Sequence, residues 1–448
     1  MMRVNVNAAE VPIRENRLGE VANYRGTAEE LCDICRGGNS CYREASFMQT
    51  ADCASQRSLI QVSAIRDAAI INHGPIGCAA DFAVWSDSYR AGLTMRGFSA
   101  CNIRAVSSNV GERETIYGGT EILAETIDEV YLRFKPKAIF VMASCASGII
   151  GDDIEGVLDQ KQAEWNIPLV GVYCEGFKSR VWSSGFDAAF HGIMRKIVKP
   201  PLKKQPDLIN IINFSGRHVF TPLLAKIGLR AEYVVPYTTV EKLEQLSEAA
   251  ATTHICETLG TYLCHALEEI YGVPEVKSPP PFGLAWSDCW LREIGRITGK
   301  EDAVEALIKE ERASIAAELA EVREKLQGKT VYVFSGDAYA HNMINVARDL
   351  GLEVIGVTTY HHDPVFDNPD AELRSLDQVV ERGDVPNFSV FTKQPYQAIN
   401  ILRRLKPDMI IFRHPDMAVL GAKLGIPSFY VAGDANAYAL YRGVIAIG

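Results

Sequence analysis

The sequence predicts an α/β protein of doubly wound parallel sheets, and three observations lead there. Short apolar runs rich in β-branched residues alternate with helical stretches almost from start to finish. Each run is continuous rather than alternating, the pattern of a strand covered on both faces by helices. Charged or proline-rich breaks divide the series. In chain order the runs are Lys137–Ala143 (KAIFVMA), Pro168–Tyr173 (PLVGVY) and Leu208–Phe214 (LINIINF). Thr330–Phe334 (TVYVF), Glu353–Thr358 (EVIGVT) and Asp408–Phe412 (DMIIF) follow. The link Lys199–Pro206 (KPPLKKQP) closes a first unit, 1–200. A long charged helix, Glu301–Leu326, leads to a second break at Lys325–Lys329 and sets the other units at 201–328 and 329–448. Each of these opens with strand, loop and helix, so both read as Rossmann-type modules.

A chain of 448 residues is too long for one typical core, in keeping with two or three domains. Its net charge of −10 argues against a nucleic-acid partner, which would call for a basic stripe. The N-terminal segment has no apolar stretch of the secretory kind, and no run approaches the roughly 18 apolar residues that span a bilayer. The expectation is a cytoplasmic protein with no membrane partner.

Eleven cysteines stand at 32, 35, 41, 53, 78, 101, 145, 174, 256, 264 and 289. An odd number in a reducing compartment disfavours structural disulfides, which leaves metal or cluster ligation against the plainer reading of small buried hydrophobes. Ligands of open parallel sheets bind at the carboxyl ends of strands, and that rule sorts the thiols. Cys145 follows KAIFVMA directly, in SCASGIIGDDI; Cys174 follows PLVGVY; Cys256 follows a short strand and opens a helix in TTHICETLGTYLCHALEEIYG. Cys264 falls inside that helix, as a core residue, and Cys289 has no such placement. Cys78 lies in the turn NHGPIGC, and Cys53 precedes it by 25 residues across an amphipathic stretch. A thiolate at a helix N-terminus is electrostatically favoured, and thiolates are the usual protein ligands of iron–sulfur clusters. No paired C-x2-C zinc pattern spans the sheet loops, and neither a G-x-S-x-G elbow nor a P-loop is present. VFSGDAYAH is too poor in glycine for a dinucleotide fingerprint. Cys32-x2-Cys35-x5-Cys41 is open: another metal site, an unligated pair, or a role for Cys41 in place of Cys53.

Taken in order, HGPIGC, SSNVGERETIYGG, SCASGIIGDDI and CEGF, then LGLEVIGV, LKPDMIIF and KLGIPSFY, resemble the α subunit of nitrogenase component 1 along nearly the whole chain. The resemblance implies three doubly wound, Rossmann-like domains of that type. It implies that Cys53, Cys78 and Cys145 hold the α half of a bridging P-cluster of the 8Fe–7S kind. The other ligands would come from a homologous β-type subunit. ICETLGTYLCHALEEIYGVP aligns without gaps to the family segment whose cysteine ligates the active-site cofactor, which makes Cys256 the cofactor ligand and this chain the α-type one.

The departures from nitrogenase are as informative. Trp182 and Phe186 stand where nitrogenase carries a glutamine and a histidine after CEGF. An arginine is replaced near Ala340, and no histidine stands near Ala432, where the family's cofactor ligand would fall. Such groups tune what a cluster can do. Their loss argues against dinitrogen reduction and against an iron–molybdenum cofactor, and allows a large iron–sulfur cofactor without molybdenum. His361–His362, in TTYHHDPVFDN at a strand's carboxyl end, are candidates for the missing ligand or proton source, weighed against a solvated loop. Trp182 and Phe186 would make the pocket apolar, and His73 in the HGP turn reads as structural.

Within the superfamily the pattern resembles the methylthio-alkane reductases. That implies reductive C–S cleavage of small thioethers such as 2-methylthioethanol or dimethyl sulfide, releasing methanethiol with an alkene or alkane. Electrons would come from an ATP-dependent iron protein to an α2β2 heterotetramer. Two other readings stand beside it. One is a cofactor-assembly scaffold, which the 25-residue interval from Cys53 to Cys78 suits better than it suits nitrogenase. The other is a tetrapyrrole reductase, against which Cys256 and the bulky Trp182 speak.

Overall fold

A computed structural model describes residues 3–18, 23–36, 53–179, 181–212, 218–235, 237–363, 375–391, 395–413, 416–431 and 438–447. Cys41 and Ala432 lie outside the described residues, as does TTYHHDPVFDN beyond Asp363. The chain is α/β with parallel sheets, as its apolar runs predict. Its strands in chain order begin with β1 (Asn23–Gly26), β2 (Ala68–His73), β3 (Ala105–Ser107), β4 (Ala138–Ala143) and β5 (Leu169–Val172). Then come β6 (Gln205–Ile212), β7 (Arg230–Tyr233) and β8 (Ala249–His254). The last are β9 (Thr330–Ser335), β10 (Glu353–Thr359), β11 (Phe388–Phe391), β12 (Met409–Phe412) and β13 (Ser428–Tyr430).

Among the described residues three sheets result, ordered β3-β2-β4-β5, β7-β6-β8 and β1-β11-β10-β9-β12-β13. Every pairing is parallel except β1 with β11. The N-terminal segment thus crosses to the last sheet and caps its edge, with Asn23 opposite Phe391 and Gly26 opposite Phe388. In β4 the reason for an unbroken apolar run is visible. Phe140 and Met142 pack with Leu59, Val62, Phe190 and Ile193 of the helices Ala54–Ser63 and Ser184–Lys196. Ile139 and Val141 face the other way, onto Leu123, Ile127 and Leu158 of the helices Thr120–Phe134 and Ile154–Trp165. Alternate residues of a strand point to opposite faces, so two helical layers demand apolar residues at every position.

The helix Glu301–Leu326 is the one the sequence predicts. It buries one stripe, Val304, Leu307, Ile308, Ile315 and Leu319, at the three- and four-residue spacing of a single helix face. Among the described residues no helix is long and apolar enough to cross a membrane.

Candidate functional site

Three cysteines meet at the carboxyl edge of the first sheet. β2 and β4 are neighbours in register, His73 opposite Ala143, so the segments that follow them emerge side by side. Cys78 lies in the 3₁₀ turn Ile76–Ala79 after β2, and Cys145 opens the helix Cys145–Ile150 after β4. Cys53 caps the helix Ala54–Ser63, its sulfur accepting from the Gln56 N–H at 3.4 Å. Gly176 of CEGF, after β5, fits between them. A methyl group there would lie 3.0 Å from Cys53 Cβ and 3.4 Å from Cys145 Sγ. Burial, and then the nearby thiols of Cys53 and Cys145, raise the pKa of Cys78.

These thiols are half-buried or exposed, in apolar company. Ile76, Ile149 and Phe177, each within four residues of one of the cysteines or of Gly176, are 65%, 75% and 54% exposed. His73 ties the loops together from beneath. Its Nδ1 is 2.9 Å from Ser108 Oγ and its Nε2 3.0 Å from Asp152, which also accepts from the Gly119 N–H. Cys174 is instead a buried core residue, packed among Val170, Ala189 and Ile193.

The fourth thiol stands alone. Cys256 is the N-cap of the helix Glu257–Tyr271, directly beyond β8, and is 3% exposed. Burial and the Glu257 charge push its pKa up to about 12, the nearby Leu259 and Thr258 amides opposing them, though its side chain makes no capping hydrogen bond. It shares one core with Phe186, Tyr339 and Ala340, and Trp182 packs against that core. The Trp182 ring meets Phe186 edge-on at 5.6 Å and His361 edge-on at 5.4 Å, and the Arg57 guanidinium lies 5.0 Å from it. The structure therefore brings Trp182, Phe186 and His361 together. Burial lowers the His361 pKa, against the opposing charges of Asp363 and Asp337. The Arg413 guanidinium sits 5.5 Å from the Tyr339 ring.

His362 turns away from this group. Its Nδ1 is 3.0 Å from Asp337 Oδ1, and Cys35 lies beside its ring. Burial opposes its protonation, but the Asp337 carboxylate and Cys35 raise its pKa well above the usual histidine value. Glu257 is buried nearby, pushed up to about 8 by burial and by the Asp337 charge. Asp337, His341 and Glu257 are the polar residues that sequence reasoning missed, and Cys35, left open there, lies beside them. The available signal was the four-residue spacing of Asp337 and His341 on the helix Asp337–Asp349, and a glutamate immediately after Cys256. Cys32, one turn before Cys35 on the helix Ala28–Arg36, is buried in the core and pushed up to about 12 by burial and Asp377. Cys264 is fully buried, as expected, and Cys289 is exposed on the helix Leu284–Thr298.

The residues present fit iron–sulfur ligation. Three thiols converge at a surface point, two of them against Gly176, and a separate buried thiol stands at a helix N-terminus, where backbone amides favour its anion.

Residues 53–448 match the family model described as nitrogenase component 1 type oxidoreductase. The chain is 29% identical over 311 residues to the nitrogenase molybdenum–iron protein alpha chain of Methanosarcina barkeri, a match of 67% of this chain and 58% of that protein's length. It is 28% identical over 408 residues to the nitrogenase iron–molybdenum cofactor biosynthesis protein NifE of Methanococcus maripaludis, covering 88% of this chain and 81% of that one. The solved structure of nitrogenase Cp1 at pH 5 superposes with a TM-score of 0.73 at 24% identity, over 90% of this chain and 88% of that one.

Proposed function

The chain belongs to the nitrogenase component 1 type oxidoreductases, and from that premise we propose that it is the α-type, cofactor-bearing subunit of a cytoplasmic iron–sulfur reductase that does not reduce dinitrogen. Cys53, Cys78 and Cys145 hold half of a P-cluster-type 8Fe–7S cluster, and a β-type subunit supplies the rest across the apolar surface around Ile76, Ile149 and Phe177. Cys256 holds a large iron–sulfur cofactor of the nitrogenase type, without molybdenum. When bound, these groups store and deliver low-potential electrons received from an ATP-dependent iron protein.

The observation that carries the substrate class is the wall beside Cys256. Phe186, Tyr339 and Trp182 line one core with it, and such a wall excludes water and favours a small apolar organic molecule. A thioether fits that description. Cleaving 2-methylthioethanol to methanethiol, ethylene and water takes two electrons and two protons, and dimethyl sulfide gives methanethiol and methane with the same number. His361, edge-on to Trp182 and with its pKa lowered by burial, relays one of those protons in this reading. His362 stands behind it, fixed by Asp337.

The test compares the anaerobically purified complex with Cys256→Ala, measuring iron, acid-labile sulfide and methanethiol release with the iron protein and ATP. The reading expects a large loss of iron with the remainder retained, and loss of methanethiol release. Equal iron in both proteins removes the cofactor from Cys256, and a wild-type complex that releases no methanethiol removes the substrate.

A scaffold for cofactor assembly is the second reading. It is favoured by the match to NifE, which covers more of both chains than the match to the M. barkeri alpha chain does. Transfer of a cluster from the purified protein into a cofactor-free acceptor enzyme would decide for it.

A further inference from the structure

Asp337, His341 and His362 form a buried group of a different kind. Asp337 and His341 stand one helical turn apart at the start of the helix after β9, so their side chains share a face. His362 lies just beyond β10, which pairs with β9 down to Thr359 opposite Ser335. Sheet register thus delivers all three to one point. His362 Nδ1 is 3.0 Å and His341 Nε2 is 3.2 Å from the same carboxylate oxygen, Asp337 Oδ1. None of the three is more than 3% exposed.

Two of their outer atoms are already occupied. Asp337 Oδ2 accepts from the Asp363 N–H at 3.0 Å and His341 Nδ1 is 2.8 Å from Ser375 Oγ, while Cys35 lies beside the His362 ring. Of the inner atoms, His362 Nδ1 and Asp337 Oδ1 share a hydrogen bond, and His341 Nε2 is less well served. His341 Nε2 faces Oδ1 without an acceptable hydrogen-bond geometry, and buried polar atoms are seldom left in that state. Glu257 Oε2, in the same surroundings, is likewise without a hydrogen bond.

We propose that Asp337, His341 and His362 bind one divalent transition cation, Zn²⁺ or Fe²⁺, separately from the clusters held by the cysteines. Ligands placed about 2.0–2.1 Å from a tetrahedral ion lie about 3.3 Å from one another, close to the 3.0 and 3.2 Å that separate the two imidazole nitrogens from Asp337 Oδ1. Two imidazoles and a carboxylate are the donors such ions take. Ser375, Cys35 and the Asp363 amide are the outer partners that fix the rings and carboxylate of a metal site. Glu257, one residue after Cys256, offers a further oxygen, so the cation joins the two loops of the last sheet to the loop carrying Cys256.

The experiment uses the full-length protein, purified anaerobically with its partner chain, incubated with Zn²⁺, desalted and analysed for zinc and iron. The wild type is expected to carry one equivalent of zinc that His341→Gln and Asp337→Asn both lack. Co²⁺ in place of Zn²⁺ should give visible absorption bands that those variants also lack. If zinc uptake releases one iron per chain, the resident ion is iron; if iron is unchanged, the site takes zinc without displacing iron, and either result supports the site. Should either variant fail to fold by circular dichroism, Ser375→Ala decides, since it removes the outer partner of His341, which also lies beside Glu257, and is expected to weaken Zn²⁺ binding about 10- to 100-fold. No zinc equivalent in the wild type, or Zn²⁺ binding unchanged in the variants that fold, overturns the proposal and leaves an ion-paired Asp337–His362 couple. Neither readout depends on the cluster at Cys256.

Discussion

His254 closes β8 two residues before Cys256, and its position has a measurable cost in acid. The ring is buried, Nδ1 has no hydrogen-bond partner, and Nε2 stands 3.7 Å from Glu275. Burial lowers its pKa to about 4, so the native ring stays neutral while the unfolded chain takes up a proton near 6.5. With the folded value below the unfolded one, the effect is nil above about pH 6.5 and grows as pH falls towards 4, by up to about tenfold in the folding constant per pH unit. Urea unfolding at pH 7.5 and pH 5 should therefore show a smaller acid shift in His254→Gln than in the wild type. Equal shifts would place the acid sensitivity elsewhere. The same scale shows what was legible in the sequence. Cys256 was, because a thiol between strand and helix is a local pattern. The division of labour between His361 and His362 was not. Neighbours in an extended segment point to opposite sides, so one meets Trp182 and the other Asp337, a partner 25 residues away that only sheet register supplies.

Two helices hold Cys53 in place, and they meet at a glycine. Gly185, on the helix Ser184–Lys196, lies against the backbone of Ala54–Ser63; a Cβ there would stand 2.0 Å from the Ala54 carbonyl oxygen and 2.9 Å from the Ser58 nitrogen. Neither is a side chain that can swing aside. Glycine to alanine inside a helix ordinarily stabilises by about 0.5–1 kcal/mol, but overpacking of this kind costs about 1–3 kcal/mol and wins. Gly185→Ala is expected to lower the melting temperature and, by shifting the helix that Cys53 caps, to reduce cluster iron. A variant that melts with the wild type and keeps its iron would show that the helices have room to separate. At this scale β4, β9, β10 and β12 could be read from apolar runs, because helices cover both faces of their sheets. β1, β3 and β13 could not: they are three or four residues long with no buried position, so they carry no hydrophobic period to read. β2 was missed for another reason, since its run AAIINH is fully buried but ends in the polar pair Asn72 and His73 that turns towards the cysteine loops.

The three sheets are joined through one guanidinium near the N-terminus. Arg14 is 1% exposed; its Nε and Nη2 bond both oxygens of Asp187 on a helix of the first sheet, at 2.7 and 2.8 Å. Its Nη1 reaches Asp363, beyond β10, at 3.0 Å, and Nη2 also donates to the Thr258 carbonyl on the helix that follows Cys256. A single residue thus touches structure built on all three sheets, and nothing in the run PIRENR announces it. Asp187 has a second cation in Arg17, so it is partly covered if Arg14 is removed. Asp363 is more exposed to the loss, because its Oδ1 makes no hydrogen bond and its other ion-pair contact is His361 at 3.7 Å. Breaking a buried ion pair from one side costs about 3–5 kcal/mol, chiefly through the charge left behind. Arg14→Met is therefore expected to destabilise by about that much, and neutralising the stranded partner should return part of the loss. The cycle Arg14→Met, Asp363→Asn and the double variant measures this. A double variant clearly less destabilised than the sum of the singles places the coupling in this pair, across the first and last sheets. Strict additivity would mean that the sheets are held by their packed cores alone, and that Arg14 is satisfied by Asp187 without reference to Asp363.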